Sequence, residues 1–421
     1  MSVFLDSSKK ILLIMAVSKK ILEFESGLSA KMSSKSSFSI SSSDVDTINE
    51  KYLKGDVRIV TEQARYPLNQ IKAMFETESY DKHPEFQRRH RWSDEKKSRL
   101  IESFIMNVPV PPIFLYEKDY SQYEVMDGLQ RITAIVDFYE NRYALSSLEE
   151  WPELNGMTYS QLPLQIKRGI DRRYISSVIL LKETAKTSME AQRLKQLVFA
   201  RINSGGAKLE DQEFRNALYP GAFNEMIICL ARNDVFCNIF GLPLKTESEN
   251  VLKNIVSEEL RECKDFSKMK DVENVLRFFA LRSINNWSNT TFTKFLDQYS
   301  KEMMEVPEDI LDEYNLLFCQ TIKLANKIFE DKVFCQWKRN KQTEKFEWTR
   351  KPVIFIYDAI MQSLSRVLDF SDQLIVKRRQ ILTDYRLLQE KNEDQFNGRN
   401  TSKSSVEGRI DLFNKMLSQY I

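Results

Sequence analysis

Residues Asn107-Val-Pro-Val-Pro-Pro112 constrain this chain most, because proline lacks an amide hydrogen and clashes with the preceding turn of a helix. No helix runs through that stretch, and the residue before each proline is pushed towards extended backbone. The segment ahead of it reads as an amphipathic helix. Ser93 is a good N-cap, Asp94 and Glu95 stand in the first turn, and Leu100, Ile101, Phe104, Ile105 and Val108 recur at helical spacing. After the prolines, Ile113-Phe-Leu-Tyr116 is strand-like, and a turn over Glu117 to Tyr120 leads into Tyr123-Glu-Val-Met126. The order is helix, proline break, strand, turn, strand.

The second strand runs into Asp127-Gly-Leu-Gln-Arg-Ile-Thr-Ala134, and apolar positions Leu129, Ile132, Ile135, Val136 and Tyr139 then predict a helix. Gly128 and Gln130 fall at its N-terminus, where free N–H groups and the helix dipole attract anions. Gly128 lets a ligand approach the backbone, Arg131 can grip phosphate oxygens, and Asp127 can hold a magnesium ion or polarise a water. A second reading has Asp127 cap the helix and Gly128 make an ordinary turn.

Taken in order, Pro84-Glu-Phe-Gln-Arg-Arg-His-Arg-Trp92, the helix and proline break, and the Asp127 turn resemble the N-terminal domain family of GmrSD-type restriction endonucleases, in the ParB and sulfiredoxin-like superfamily. Phe199-Ala-Arg-Ile-Asn-Ser-Gly-Gly206, with Leu209 and Gln212 to Asn216 after it, is similar to a further element of that family, and the likeness spans residues 50 to 285. The resemblance implies an α+β fold, a small ParB-like mixed sheet with helices followed by a mostly helical region. It also implies a module that binds and hydrolyses NTP with Mg2+ in prokaryotic defence against foreign DNA. Nucleotide contacts then fall on Gln87, Arg88, Gly128, Gln130, Arg131, Arg201, Asn203, Gly205 and Gly206. Asp127 and Arg131 are the expected catalytic pair, with Asp127 on the metal. The family often has glutamine where this chain has Leu129, which favours the alternative of a non-hydrolysing switch that binds nucleotide or DNA and controls a partner effector.

Charge narrows the partners. With 62 basic and 60 acidic residues the net charge is only +2, so DNA contact requires local patches, for which Arg88–Arg91, Lys96–Arg99, Arg172–Arg173 and Lys377–Arg379 are candidates. Five cysteines without C-x-x-C spacing read as reduced cytoplasmic thiols and exclude a structural zinc site. Only two histidines, His83 and His90, are present, too few for an HNH nuclease, and no acidic residues stand in the setting of a PD-(D/E)-x-K site. DNA cleavage is expected to depend on a separate nuclease subunit or on a cryptic site that uses carboxylates alone.

Three segments follow: a flexible serine-rich stretch over 1–43, a nucleotide-binding domain over 44–220 and a helical domain over 221–421. The apolar run Ile11 to Val17 has seven residues, too few to span a membrane. Helical spacing predicts helices over Met189–Ile202, Leu209–Tyr219, Asp271–Arg282, Phe292–Met304, Pro307–Phe329, Val353–Leu368 and Ser371–Glu390. Ser404 or Ser405 is the expected cap of a last helix after the polar loop that begins at Phe396.

The chain by itself is expected not to cut DNA through an HNH-type site when it is incubated with modified and unmodified plasmid, Mg2+ or Mn2+ and each NTP. Cleavage that disappears in a His83→Ala, His90→Ala double variant would contradict this, whereas cleavage that survives loss of both histidines would point to a site built of carboxylates alone.

Overall fold

The computed structural model describes residues 19–34, 49, 59–81, 92–184, 187–204, 210–288, 290–340, 343–396 and 402–421. The chain divides into two units, Ile40–Leu218 and Met1–Ser39 with Tyr219–Ile421. The first helix, α1 (Lys19–Ser34), belongs to the latter.

The Ile40–Leu218 unit is α+β. Its strands are β1 (Thr61–Pro67), β2 (Tyr80–Asp81), β3 (Ile113–Asp119), β4 (Gln122–Asp127) and β5 (Tyr174–Leu180), in the sheet order β1-β5-β3-β4-β2. The sheet is mixed: β1 is antiparallel to β5, β5 parallel to β3, β3 antiparallel to β4, and β4 parallel to β2. Tyr120 and Ser121 close the β3–β4 hairpin, with Ser121 in the left-handed region at φ 56°.

Helices α2 (Ile71–Phe75), α3 (Asp94–Met106), α4 (Leu129–Tyr139) and α5 (Leu164–Asp171) precede β5, and α6 (Ser188–Ser204) and α7 (Asp211–Leu218) follow it. The Ser93 side chain caps α3 through the Lys96 amide, and Asn107 ends the helix in a left-handed conformation at φ 61° just before the prolines. Ile101 and Phe104 of α3 and Ile132, Ile135 and Phe138 of α4 pack against Ile113, Leu115, Val125, Ile175 and Ile179 of the sheet, forming one buried cluster. Strand alternation turns Glu124 to the face opposite Val125, where it meets Lys195 of α6.

The other unit is helical around a second core that includes Phe278, Phe279, Tyr314, Phe318 and Tyr357. Arg277 and Asp358 form a buried ion pair between helices Lys270–Arg282 and Ile354–Leu364. The stretch expected as one helix over Ser371–Glu390 is two, Ser371–Val376 and Arg378–Lys391, separated at Lys377. The short antiparallel pair Trp337–Arg339 and Phe346–Trp348 has no counterpart in the sequence-based expectations. The last helix, Lys403–Leu417, is capped by Ser402 rather than by Ser404 or Ser405: the Ser402 hydroxyl accepts from the Ser405 amide at 3.3 Å. No helix among the described residues is long and apolar enough to cross a membrane.

Within residues 1–43, expected to be flexible from their serine content, α1 is an ordered helix. Ile21, Leu28 and Met32 lie on one face of it and are buried in the helical core. Glu25 receives the Arg282 guanidinium in a two-point contact, Nε to Oε1 at 2.6 Å and Nη2 to Oε2 at 3.2 Å, while the Tyr314 hydroxyl donates to Glu25 Oε1 at 3.2 Å. Asn286 donates to the Ser29 hydroxyl at 3.0 Å.

Removing one member of a buried pair strands the other charge, so Glu25→Gln and Arg282→Met should each destabilise the helical unit by about 3 kcal/mol. The double variant Glu25→Leu, Arg282→Met should recover most of that loss. Urea denaturation of the full chain checks both, and additive losses in the double variant would contradict the pairing.

Candidate functional site

The turn between β4 and α4 is shaped by three local features. First, the β3–β4 register steps from Leu115 opposite Val125 to Phe114 opposite Asp127, so Met126 is an extra residue in β4 and the ladder bulges just before the turn. This resets the alternation of the strand and re-aims Asp127. Second, Gly128 has φ +97°, a left-handed conformation that side chains disfavour. A Cβ there would stand 2.5 Å from Ile113 Cγ2 and 3.1 Å from Arg131 Nη2. Only glycine fits, because β3 passes directly beneath it. Third, Gly128 is the N-cap of α4 and, having no side chain, makes no side-chain cap bond to it. The Gly128 carbonyl accepts the first intrahelical bond, from Ile132 at 3.0 Å, so the amides of Leu129, Gln130 and Arg131 precede the helical ladder.

Electrostatics tie the turn together. Arg131 Nη2 donates to Asp127 Oδ2 at 2.6 Å and to the Pro112 carbonyl at 3.0 Å. The side chains are 13% and 26% exposed, so the pair is shielded but open to solvent on the Asp127 side. Arg131 Nε is buried without a hydrogen-bond partner among the described residues. Asp127 and Arg131, both expected to face a ligand, are thus engaged with one another, four residues apart across the turn from β4 into α4. Gln130 Oε1 accepts the Trp92 amide at 3.1 Å, which fastens the turn to the residue that ends the basic stretch. Leu129 packs against the core of this unit.

The remaining expected site residues lie on two other segments. Arg201 is exposed near the C-terminus of α6, and Asn203 belongs to the same helical end. Gln87, Arg88, Gly205 and Gly206, the Asn203 side chain and both histidines lie outside the described residues. Glu124 and Lys195 were missed by sequence reasoning. Their side chains pair at 2.7 Å with only 8% and 6% exposure, and Lys195 Nζ stands 5.7 Å from the centroid of the Tyr116 ring. The Tyr116 phenol is raised above its usual range, first by burial and then by the Glu124 carboxylate. The signal available in the sequence was one acidic residue inside an otherwise apolar strand.

Among the described residues no group of three or more His, Cys, Asp or Glu side chains is placed to hold a metal ion. A protein-only metal cage is therefore not formed by them, and Asp127 stands as a single carboxylate. Two of the four candidate basic patches have part of their charge paired or their side chains otherwise engaged. Lys97 pairs with Asp94 and Asp137, Arg99 with Glu149, and Arg378 with Glu330, while Lys377 donates to the Tyr420 carbonyl.

Residues 71–220 match the family model of the GmrSD restriction endonuclease, N-terminal domain. The matched segment contains the Asp127 turn, α6 and α7. Comparison with curated proteins and with solved structures gives no match to this chain.

Gly128→Ala combines a left-handed backbone penalty with overlap against Ile113, so it should destabilise the Ile40–Leu218 unit by about 2–4 kcal/mol. Adding Ile113→Ala should remove the overlap part of the loss. Thermal unfolding of the three variants checks this, and a Gly128→Ala protein as stable as wild type would contradict the geometry.

Proposed function

Because residues 71–220 belong to the GmrSD restriction endonuclease N-terminal family, we propose that this chain is the nucleotide-responsive component of a restriction-type defence system acting on foreign DNA. One observation carries the reading: an arginine and a carboxylate are gathered at the N-terminus of an 11-residue helix whose N-cap is a glycine with no room for a Cβ. Phosphate oxygens would sit at the amides of Leu129, Gln130 and Arg131, where helix geometry leaves donors free. The Arg131 guanidinium would add charge-assisted bonds, for which its buried Nε has an unused donor.

Asp127 fits one site on Mg2+, the remaining positions of which are ordinarily filled by phosphate oxygens and water. The ion would neutralise phosphate charge and lower the pKa of a bound water. Asp127 also positions Arg131 before a ligand arrives. Arg201 and Asn203 on α6, and Gln87 and Arg88 upstream of Trp92, would complete the nucleotide contacts.

The Asp127–Arg131 bond and the packing of Leu129 favour a second reading, a switch without turnover. An incoming phosphate would compete with Asp127 for Arg131, and the Pro112 carbonyl, which shares Arg131 Nη2, would feel the exchange. A bound nucleotide then biases the proline segment, and a partner such as a separate nuclease reads the change.

Calorimetry of the intact chain with each of the four NTPs and Mg2+, followed by phosphate release, tests the reading. Binding of at least one NTP is expected, and Arg131→Ala should weaken it by about 1.5–3 kcal/mol. Asp127→Asn should keep substantial affinity and lose any turnover. Failure of the wild type to bind any NTP would contradict the proposal, whereas binding without phosphate release selects the switch.

A further inference from the structure

The path of α6 across the sheet is set by three contacts. Leaving β5 at Leu180, the chain passes Lys182, whose ammonium pairs with Asp119 at the C-terminal end of β3 at 2.6 Å. The helix then begins at Ser188. By Lys195 it lies over Tyr116 and Glu124, which face one another across the β3–β4 ladder. It therefore advances from the Asp119 end of the hairpin towards the end that carries Ile113 and Asp127. From Lys195 to Asn203 the helix rises about 12 Å, and from Glu124 to Asp127 the strand rises about 10 Å. These lengths bring the C-terminal end of α6 level with the turn.

An apolar helix face can slide along a sheet by a residue or a turn at modest cost. A buried ion pair cannot, since moving it apart leaves two desolvated charges without each other. Glu124 and Lys195 lie 71 residues apart in sequence and join the two segments that carry the expected nucleotide contacts.

We propose that the Glu124–Lys195 pair is a positioning clamp that fixes the register of α6 on β4, so that the Arg201 end of the helix meets the same ligand as the Asp127 turn. The proposal rests on the nucleotide reading of that turn for its ligand, but the clamp itself does not.

Hydrogen exchange of the intact chain, read by mass spectrometry with and without ATP and Mg2+, separates the two. In Glu124→Gln and in Lys195→Met, amides of residues 196–204 should exchange at least tenfold faster, while those of α4 and of residues 219–421 keep their wild-type rates. Affinity for ATP with Mg2+ should fall at least tenfold in both variants, and Lys195→Arg should restore exchange and affinity to within threefold of wild type. Wild-type exchange over 196–204 in both variants would overturn the clamp. So would uniform acceleration over all of residues 59–218, which is the mark of a pair that only supports the fold. Should the wild type bind no ATP, the exchange pattern alone decides the clamp, and it is the nucleotide reading that falls.

Discussion

The bond between Asp127 and Arg131, closed over a glycine that has no room for a side chain, joins three parts of the mixed-sheet unit. It holds the end of β4, the first turn of α4 and, through the Pro112 carbonyl, the proline segment that separates α3 from β3. Each part is constrained independently. The prolines fix an extended approach, the bulge at Met126 re-aims the strand, and the proximity of Ile113 dictates glycine. The ion pair makes these constraints converge on one geometry. It also leaves a cost, since a buried donor without a partner, as Arg131 Nε is among the described residues, is worth about 1–3 kcal/mol of lost hydrogen bonding.

That uncompensated donor connects structure to the proposed function. A ligand gains most where the protein has polar capacity already desolvated and unused, because the desolvation has been met in folding. Among the described residues, the capacity left at this turn consists of the first amides of α4, which precede the helical ladder, and one guanidinium nitrogen, all donors, which is the complement of an anion. Asp127 acts as the resident acceptor for Arg131. On the switch reading, an incoming phosphate would change the partner of Arg131, and the change would be transmitted to neighbours that share its bonds.

Much of the architecture around this turn was legible in the sequence, for reasons that are local. Ser93 as a cap, the prolines as a break, and β3, β4 and α4 all follow from interactions among residues near one another in the chain. The rest depends on partners far away. β1 is exposed along most of its length, so its sequence carries no strong alternation, and it is a strand because β5 pairs with it. The serine content of the N-terminal stretch hid the helical spacing of Ile21, Leu28 and Met32, which matters only because a distant core and Arg282 receive them. At the site, Asp127, Gly128 and Arg131 stood out as residues, but their mutual bond, the Gln130 contact with Trp92 and the Glu124–Lys195 pair are tertiary facts.

The central claim is that the Arg131 Nε–H, which has no hydrogen-bond partner among the described residues, takes a phosphate oxygen when nucleotide binds. Side-chain 15N NMR of the arginine Nε–H groups, with the Arg131 signal assigned by Arg131→Lys and followed as ATP and Mg2+ are added, observes that atom directly. The account predicts a saturable shift of the Arg131 Nε–H to the position of a charge-assisted hydrogen bond, with other buried arginines such as Arg277 unchanged. An Arg131 signal that stays in place while ATP binds would contradict it.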